Sequence, residues 1–336
     1  MDPFGVADDP KMPFLAQALN PQAVQRQFQF SLPRLTSRKH QLHLRAIRVV
    51  RYKPGRRCLI EYDVELSGHD ALAEVITLVG KARARGLDHS TYQLVRELWS
   101  GGFGTDSIDG ICVPEPIGVI PEFQMWLQRK VSGIAATQRL TEPDGAALAR
   151  QIVEAVHKLH QAGIPSNRRH TMAVELRILH ERLPLVAQMK PEWSNRLDRI
   201  LEACDQLGAA IPEPRPQGVH RDFYADHVIV NGPHLYLLDF DLYCEGDPAL
   251  DIGNFVAHLA EQSLRTLGNP DALGVAEQAL EEKFVALAGE ATRAAVRAYT
   301  TLTLVRHIYL STQFAERRPF TLRLLELCEA RLNVKC

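Results

Sequence analysis

The first part of the chain alternates hydrophobic and polar residues as β-strands do. Two runs rich in β-branched residues, at about 44 to 52 and 58 to 66, flank a Pro-Gly turn at 53 to 56, which predicts a β-hairpin. A third strand is predicted over 73 to 84, and a helix over 90 to 103 that stops at its two glycines. Residues 111 to 131 add two short strands interrupted by prolines. Together these elements predict a small antiparallel sheet with one helix.

From Gly133 onward the apolar residues recur with the period of helices. The first helix is expected to have Thr141 as its N-cap and to stop at Gly163. Further helices are predicted over 173–187, 191–208, 248–266, 271–288 and 290–314, and again near the C terminus. The exception is 218–251, which has the pattern of a loop and a hairpin with acidic residues at its edges. The fold class predicted is therefore α+β.

The length of 336 residues indicates about two domains. We expect a leader and short helix over 1–30, an N-terminal lobe over 31–130, and a C-terminal lobe over 131–336. Three prolines among the first 13 residues predict a loosely held leader, followed by a helix from Pro21 to Gln29.

Composition narrows the functional classes. A hydrophobic content of 46% and a charged content of 24% are those of an ordinary globular protein. The net charge of −1 offers no general attraction to nucleic acid or to an anionic membrane. No apolar run is long enough to cross a membrane, and no signal peptide is recognised, so a cytoplasmic location is expected. The six cysteines are widely spaced, which predicts buried reduced thiols rather than disulfides or a zinc site.

Charge is unevenly distributed along the chain. Residues 34 to 57 contain seven Arg and two Lys but no acid, whereas 222 to 251 contain seven carboxylates and no Lys or Arg. This contrast suits a site that holds phosphate on one side and metal cations on the other. Two solvated surface segments are the alternative interpretation.

The acidic segment carries the candidate chemistry. A hairpin with Asp222 before its first strand and Asp239 after its second would bring the two carboxylates together. Phosphoryl transfer needs one carboxylate to accept the substrate hydroxyl proton and another to hold magnesium. A cation to grip the phosphates would be Lys81, at the end of an apolar strand, with Glu97 on the next helix as its ion-pair partner.

These motifs resemble the aminoglycoside phosphotransferase and choline kinase family, small-molecule relatives of the protein kinases. His220, Asp222 and His227 occupy the positions of the family's HxDxxxxN loop, Asp239 follows two apolar residues as its metal aspartate does, and Gly246 to Ile252 nearly reproduce GDPxxDL. The resemblance covers about residues 45 to 310, including a hinge-like segment at 131 to 133. It implies a bilobal protein-kinase-like fold, with a nucleotide-binding β-sheet N-lobe over 31–130 and a catalytic and substrate-binding helical C-lobe over 131–336.

The resemblance also implies roles for individual residues. Asp222 would be the catalytic base and Asp239 the Mg²⁺ ligand, while Lys81, paired with Glu97, would grip the phosphates of ATP or GTP. Arg129 and Val131 would meet the adenine, and His220 and Asp251 would support the catalytic loop. The acceptor would be a hydroxyl of a sugar, an amino alcohol or an aminoglycoside-like compound. Nothing in the sequence decides whether the protein forms a dimer.

Two departures from the family pattern affect these expectations. His227 stands where the family has a metal-binding Asn, and imidazole suits Mg²⁺ poorly, so Mn²⁺ is an alternative, with Asp226 or Asp241 as other sources of oxygen ligands. The turn at 53 to 57 offers side-chain cations in place of a glycine-rich phosphate loop.

Two rival functions follow. A metal-dependent hydrolase would need His at 222 and 224, where Asp and Tyr stand. A catalytically inactive kinase-like protein that binds nucleotide or a protein partner is the more serious alternative, and His227 is the residue that supports it.

Overall fold

A computed structural model describes residues 4–36, 40–68 and 73–334 of the chain. The chain divides into two compact units, Met1–Ser132 and Gly133–Cys336. The division lies beside the segment that the sequence marks as hinge-like.

The first unit is built on a five-stranded antiparallel sheet in the order β1-β2-β3-β6-β5. Its strands are β1 (His40–Lys53), β2 (Arg57–Gly68), β3 (Glu74–Arg83), β5 (Pro116–Ile120) and β6 (Met125–Arg129), with β4 (Ile111–Cys112) as a further short strand. Its helices are α1 (Leu15–Ala18), α2 (Pro21–Ser31) and α3 (His89–Leu98). The predicted β1–β2 hairpin is confirmed, and Gly55 in its turn has a φ of 60°.

The N-terminal segment packs against one face of this sheet. Val6, Met12 and Phe28 are fully buried in one core with Ile60 and Leu78 of the sheet. The prediction of a loosely held leader is therefore wrong. The apolar residues of this segment are too widely spaced to predict a helix or a strand. In the folded chain they are buried against the sheet, which removes them from water.

The second unit contains most of the helices. They are α4 (Ala136–Arg139), α5 (Gly145–Gln161), α6 (Met172–Met189), α7 (Ser194–Ala209), α8 (Ala249–Leu267), α9 (Gly274–Ala288), α10 (Arg293–Gln313) and α11 (Thr321–Leu332). The predicted helices are confirmed within a few residues of their ends. The expected N-cap at Thr141 is wrong, because α5 begins at Gly145 and the Thr141 hydroxyl donates to the carbonyl of Gln138 instead.

Five short strands complete the second unit: β7 (Ile134–Ala135), β8 (Gln217–Val219), β9 (Val228–Asn231), β10 (His234–Leu237) and β11 (Cys244–Gly246). β9 and β10 form the predicted hairpin, with Gly232 in its turn at a φ of 57°. β7 pairs with β9, and β8 pairs with β11. The polypeptide just before β9 and just after β10 therefore lies at one end of the hairpin.

Two expectations from composition concern the whole chain. Within the described ranges no helix has the length and apolar character needed to cross a membrane. The thiols of Cys58, Cys112, Cys204, Cys244 and Cys328 are buried, as predicted, and Cys336 lies outside the described residues.

Candidate active site

The β9–β10 hairpin brings together two carboxylates that are far apart in the sequence. The Leu238 amide donates to the His227 carbonyl at 2.9 Å, which joins the loop before β9 to the loop after β10. The His227 ring then lies between the acids, with Nδ1 3.9 Å from Asp222 Oδ2 and Nε2 3.8 Å from Asp239 Oδ2. The two acid side chains are 44% and 30% exposed, so both can be reached from solvent.

The orientation of the His227 ring is fixed by the backbone. Its Nδ1 lies 2.7 Å from the carbonyl oxygen of Asp222, and because a carbonyl only accepts, Nδ1 carries the proton. Burial lowers the pKa of His227, and the neighbouring His220 adds to this, although the two acids act in the opposite direction. A neutral ring of this tautomer presents an unprotonated Nε2 on the side of Asp239.

Asp251 binds the backbone of the loop that carries Asp222. Its carboxylate accepts hydrogen bonds from the amides of His220 at 2.8 Å and Arg221 at 2.7 Å. His160 of α5 donates a third hydrogen bond through Nε2 at 2.9 Å, and the Asp251 and His160 side chains are both fully buried. Hydrogen bonds of this kind to a buried carboxylate are strong, so the loop is rigidly attached to α8.

Two residues of the site have backbone conformations that side chains usually avoid. Arg221 has a φ of 69° and Asp239 a φ of 60°, both in the left-handed region. Two hydrogen bonds hold the Arg221 backbone in this conformation. Its amide donates to Asp251, and its carbonyl accepts from Asn254 Nδ2 at 2.6 Å. Such strain persists only where the surroundings enforce it, and it is frequent at functional sites.

A second layer of polar residues supports this arrangement. The side-chain oxygen of Asn254 accepts from Thr303 at 2.6 Å and from Arg306 at 3.0 Å. Arg306 also binds the buried carboxylate of Glu175, which His170 contacts at 2.6 Å. Sequence analysis missed these residues. Only Asn254 had a local signal, because it lies one helical turn after Asp251 on the same face of α8.

His220 is a buried structural residue. Its Nε2 lies 2.8 Å from the carbonyl oxygen of Leu238, and its ring packs against those of Phe223 and Phe240. The His220 ring therefore links the loop before β9 to the segment after β10, while the His220 amide donates to Asp251.

Aromatic rings line the loop on the side of α8 and α10. The Tyr224 ring stacks on His258 with centroids 4.6 Å apart and contacts the His227 ring at 4.2 Å. His258 in turn contacts His307 edge to face at 4.4 Å. Burial holds the pKa of His258 well below its usual value and lowers that of His307 to about 3, so both rings are neutral at pH 7.

The other predicted residues lie in the first unit. Lys81 is on β3, opposite Leu59 of β2 and Trp126 of β6. Alternation along β3 places it on the face opposite to Leu78 and the buried core.

The expected ion pair between Lys81 and Glu97 is wrong: none is found among the residues that the structure describes, and the Glu97 side chain is exposed. The buried face of α3 is formed by Thr91, Leu94, Val95 and Leu98. Glu97 lies about 110° around the helix from the middle of that face. The number of residues between Lys81 and Glu97 does not indicate where Glu97 lies around the helix.

Arg129 and Val131 were predicted to meet the adenine. The Arg129 amide donates to the Glu115 carbonyl at 2.9 Å, and its guanidinium binds the Glu115 and Glu74 carboxylates. The Lys130 amide donates to Thr77 at 2.8 Å. These two N–H groups are engaged within the first unit, and the adenine contacts of Arg129 and Val131 stay predictions.

Asp226, one of the alternative oxygen sources, accepts a hydrogen bond from the Thr137 hydroxyl of α4 and is exposed. No group of three or more His, Cys, Asp or Glu in the described ranges is placed to hold a metal ion by itself. Asp239 and His227 nevertheless offer two donor atoms 3.8 Å apart. Both atoms are therefore close enough to reach one cation, whose remaining ligands would be phosphate oxygens and water.

Solved structures show which class of protein has this architecture. The fold is that of the kinase-like phosphotransferases: a choline/ethanolamine kinase family protein from Mesorhizobium loti aligns with a TM-score of 0.57 and 14% identity over 86% of this chain and 89% of its own. A thermostable mutant of aminoglycoside phosphotransferase APH(4)-Ia, in ternary complex with ADP and hygromycin B, gives a TM-score of 0.56 and 14% identity over 87% of this chain and 94% of its own. Amicoumacin kinase hAmiN, in complex with AMP-PNP, Ca²⁺ and Ami, gives 0.59 and 14% over 95% and 96%.

Residues 107–299 match the phosphotransferase enzyme family, and the chain belongs to this family. The expected fold and family are thereby confirmed. No curated protein matches the chain significantly. At 14% identity the solved structures establish the fold and leave the substrate open.

Proposed function

We propose that this chain is a small-molecule kinase that transfers the γ-phosphoryl group of ATP or GTP to an alcohol hydroxyl. The observation that carries the proposal is the placement of Asp222 and Asp239 on either side of the His227 ring, at 3.9 and 3.8 Å. Family membership of the chain supports the same reaction class.

Asp222 is the proposed catalytic base. Its side chain is 44% exposed, and its loop is held by Asp251, so the carboxylate is both accessible and positioned. It would accept the proton of the acceptor hydroxyl while the hydroxyl oxygen bonds to the γ-phosphorus. The bond from that phosphorus to the bridging oxygen breaks, and the nucleoside diphosphate leaves with its electron pair.

Asp239, with His227, would hold the divalent cation. When bound, such a cation neutralises phosphate charge and aligns the transferred group. Lys81 would contact the nucleotide phosphates, and Val131 the base.

The acceptor proposed is a sugar, an amino alcohol or an aminoglycoside-like compound. The aromatic group of Tyr224, His258 and His307 adjoins the catalytic loop, and its histidines are neutral at pH 7. These enclosed histidines therefore place no charge behind Tyr224, which is compatible with all three classes of acceptor.

Calorimetry tests the proposal directly. ATP and GTP should bind the wild type in the presence of Mg²⁺ or Mn²⁺, and Asp239→Asn should remove the dependence of binding on the cation. A screen of sugars, amino alcohols and aminoglycosides should then yield a phosphorylated product. Nucleotide binding without cation dependence, and no transfer to any acceptor, would favour the inactive kinase-like protein instead.

A further inference from the structure

The cation-binding donor pair of this chain contains a nitrogen atom. The proton on His227 Nδ1 is donated to the Asp222 carbonyl, so Nε2 carries the lone pair and lies 3.8 Å from Asp239 Oδ2. A backbone carbonyl in this position is the usual outer partner of a metal-binding histidine, because it fixes both the tautomer and the direction of the ring. The ring is therefore prepared to coordinate through Nε2.

Packing leaves the ring little freedom to turn away. The His227 side chain is 12% exposed, and its ring is stacked on His220 with centroids 5.7 Å apart and in contact with Tyr224 on another side. Its backbone is fixed as well, since the His227 amide donates to Tyr224 and its carbonyl accepts from Leu238, both at 2.9 Å.

The chemistry of the donors determines which cation fits. Mg²⁺ prefers oxygen ligands, whereas the affinity of sites that contain nitrogen rises along the divalent first-row metals from Mn²⁺ through Co²⁺. A site made of one carboxylate oxygen and one imidazole nitrogen, completed by phosphate oxygens, should therefore discriminate in favour of the transition metals.

We propose that His227 Nε2 directly coordinates the nucleotide-bound cation together with Asp239, and that this makes the site selective for Mn²⁺ and Co²⁺ over Mg²⁺. The inference rests on the proposed function, because the nucleotide supplies the remaining ligands. It assigns the selectivity to one atom of this chain.

Pulsed electron paramagnetic resonance of Mn²⁺ provides a test that does not depend on turnover. The full-length protein is loaded with Mn²⁺ and the methylene-bridged analogue of ATP, which has no nitrogen between its phosphates. We expect a ¹⁴N coupling of the strength of a coordinated imidazole, and its replacement by a ¹⁵N coupling when the histidines are ¹⁵N-labelled. Bound Mn²⁺ without this coupling would overturn the inference, and the labelling result needs no variant.

Calorimetry with the same analogue measures the selectivity. His227→Asn should lower the ratio of Mn²⁺ to Mg²⁺ affinity about 10-fold or more, since losing even a residue that supports a metal ligand typically costs 10- to 100-fold in metal affinity. His234→Asn, at the turn end of the same hairpin, is the matched control and should leave the ratio unchanged. An equal ratio in wild type and His227→Asn would refute the inference while leaving the phosphotransferase proposal intact. Failure of the wild type to bind nucleotide with any cation would refute both.

Discussion

The Arg221 amide donates a hydrogen bond of 2.7 Å to Oδ1 of Asp251, which lies 30 residues further along the chain. The other carboxylate oxygen of Asp251 accepts from the His220 amide and from His160. One buried side chain therefore fixes the strained segment that precedes Asp222. Its contribution is structural, and it can be separated experimentally from the chemistry.

Asp251→Asn should destabilise the protein by about 2 to 4 kcal/mol, because the amide cannot accept all three hydrogen bonds and its NH₂ group faces other donors. Urea unfolding at pH 7 measures this. Asp198→Asn, an exposed aspartate on α7, is the control and should change the free energy of unfolding by less than about 0.5 kcal/mol. Equal stability of the two variants would contradict the supporting role of Asp251.

Asp222→Asn should reduce the rate of phosphate transfer about 10² to 10⁴-fold, the usual contribution of general acid–base catalysis. Nucleotide affinity should stay within about twofold, because the base contacts the acceptor rather than the phosphates. Single-turnover transfer to an acceptor found in the screen, together with calorimetry, separates these effects. Asp205→Asn on α7 serves as a control that keeps full activity, and undiminished transfer by Asp222→Asn would disprove the assignment of the base.

Lys81 and Glu97 should behave differently when replaced. Lys81→Ala should weaken ATP binding about 10-fold by removing a cation from the phosphates. Glu97→Gln should leave binding unchanged, since Glu97 is exposed and lies off the buried face of α3. Calorimetry of ATP binding to each variant gives the two dissociation constants to be compared. A comparable loss in both variants would mean that the two residues do act as a pair.

Glu175 should make the free energy of unfolding depend on pH in the acidic range. Burial raises its pKa, but Arg306 and the hydrogen bond from His170 outweigh this and lower the pKa to about 2. The folded state thus binds this proton more weakly than the unfolded state, and the stabilisation present at neutral pH is lost as the pH falls below about 4.5. Glu175→Gln should cost about 2 to 4 kcal/mol at pH 7, and the deficit should shrink by about 1 kcal/mol at pH 3.5. Urea titrations at both pH values test this, and a deficit independent of pH would refute it.

Glu277 should make stability change with pH in the opposite direction. Burial raises its pKa to about 7, against a smaller opposing effect of Arg331, and its Oε1 is buried without a hydrogen-bond partner among the described residues. The folded state therefore binds this proton more tightly, so its stability falls as the pH rises from about 4.5 to 7.

Glu277→Gln should consequently be more stable than wild type by about 1 to 3 kcal/mol at pH 8, and close to wild type at pH 5. Glu282→Gln, an exposed position on the same helix, should show no such change with pH. Thermal unfolding at the two pH values provides the comparison. A variant that is less stable than wild type at pH 8 would contradict the raised pKa.

The sequence by itself determined the elements of the fold and the family. Period-2 alternation and the Pro-Gly turn predicted the β1–β2 hairpin, and apolar spacing predicted the helices after Gly133, because both signals are local. The spacing of His220, Asp222, Asp239 and Asp251 indicated the family, since neighbouring loops of one hairpin can be located from the chain alone.

Only the tertiary structure decided how distant side chains meet. It buried the N-terminal segment against the sheet, turned Glu97 away from the buried face of α3, and placed His160 and Asn254 around the loop of Asp222. It also fixed the His227 tautomer through the Asp222 carbonyl. These features depend on the angle around a helix and on contacts between elements far apart in the chain, which a pattern of residues along the sequence does not record.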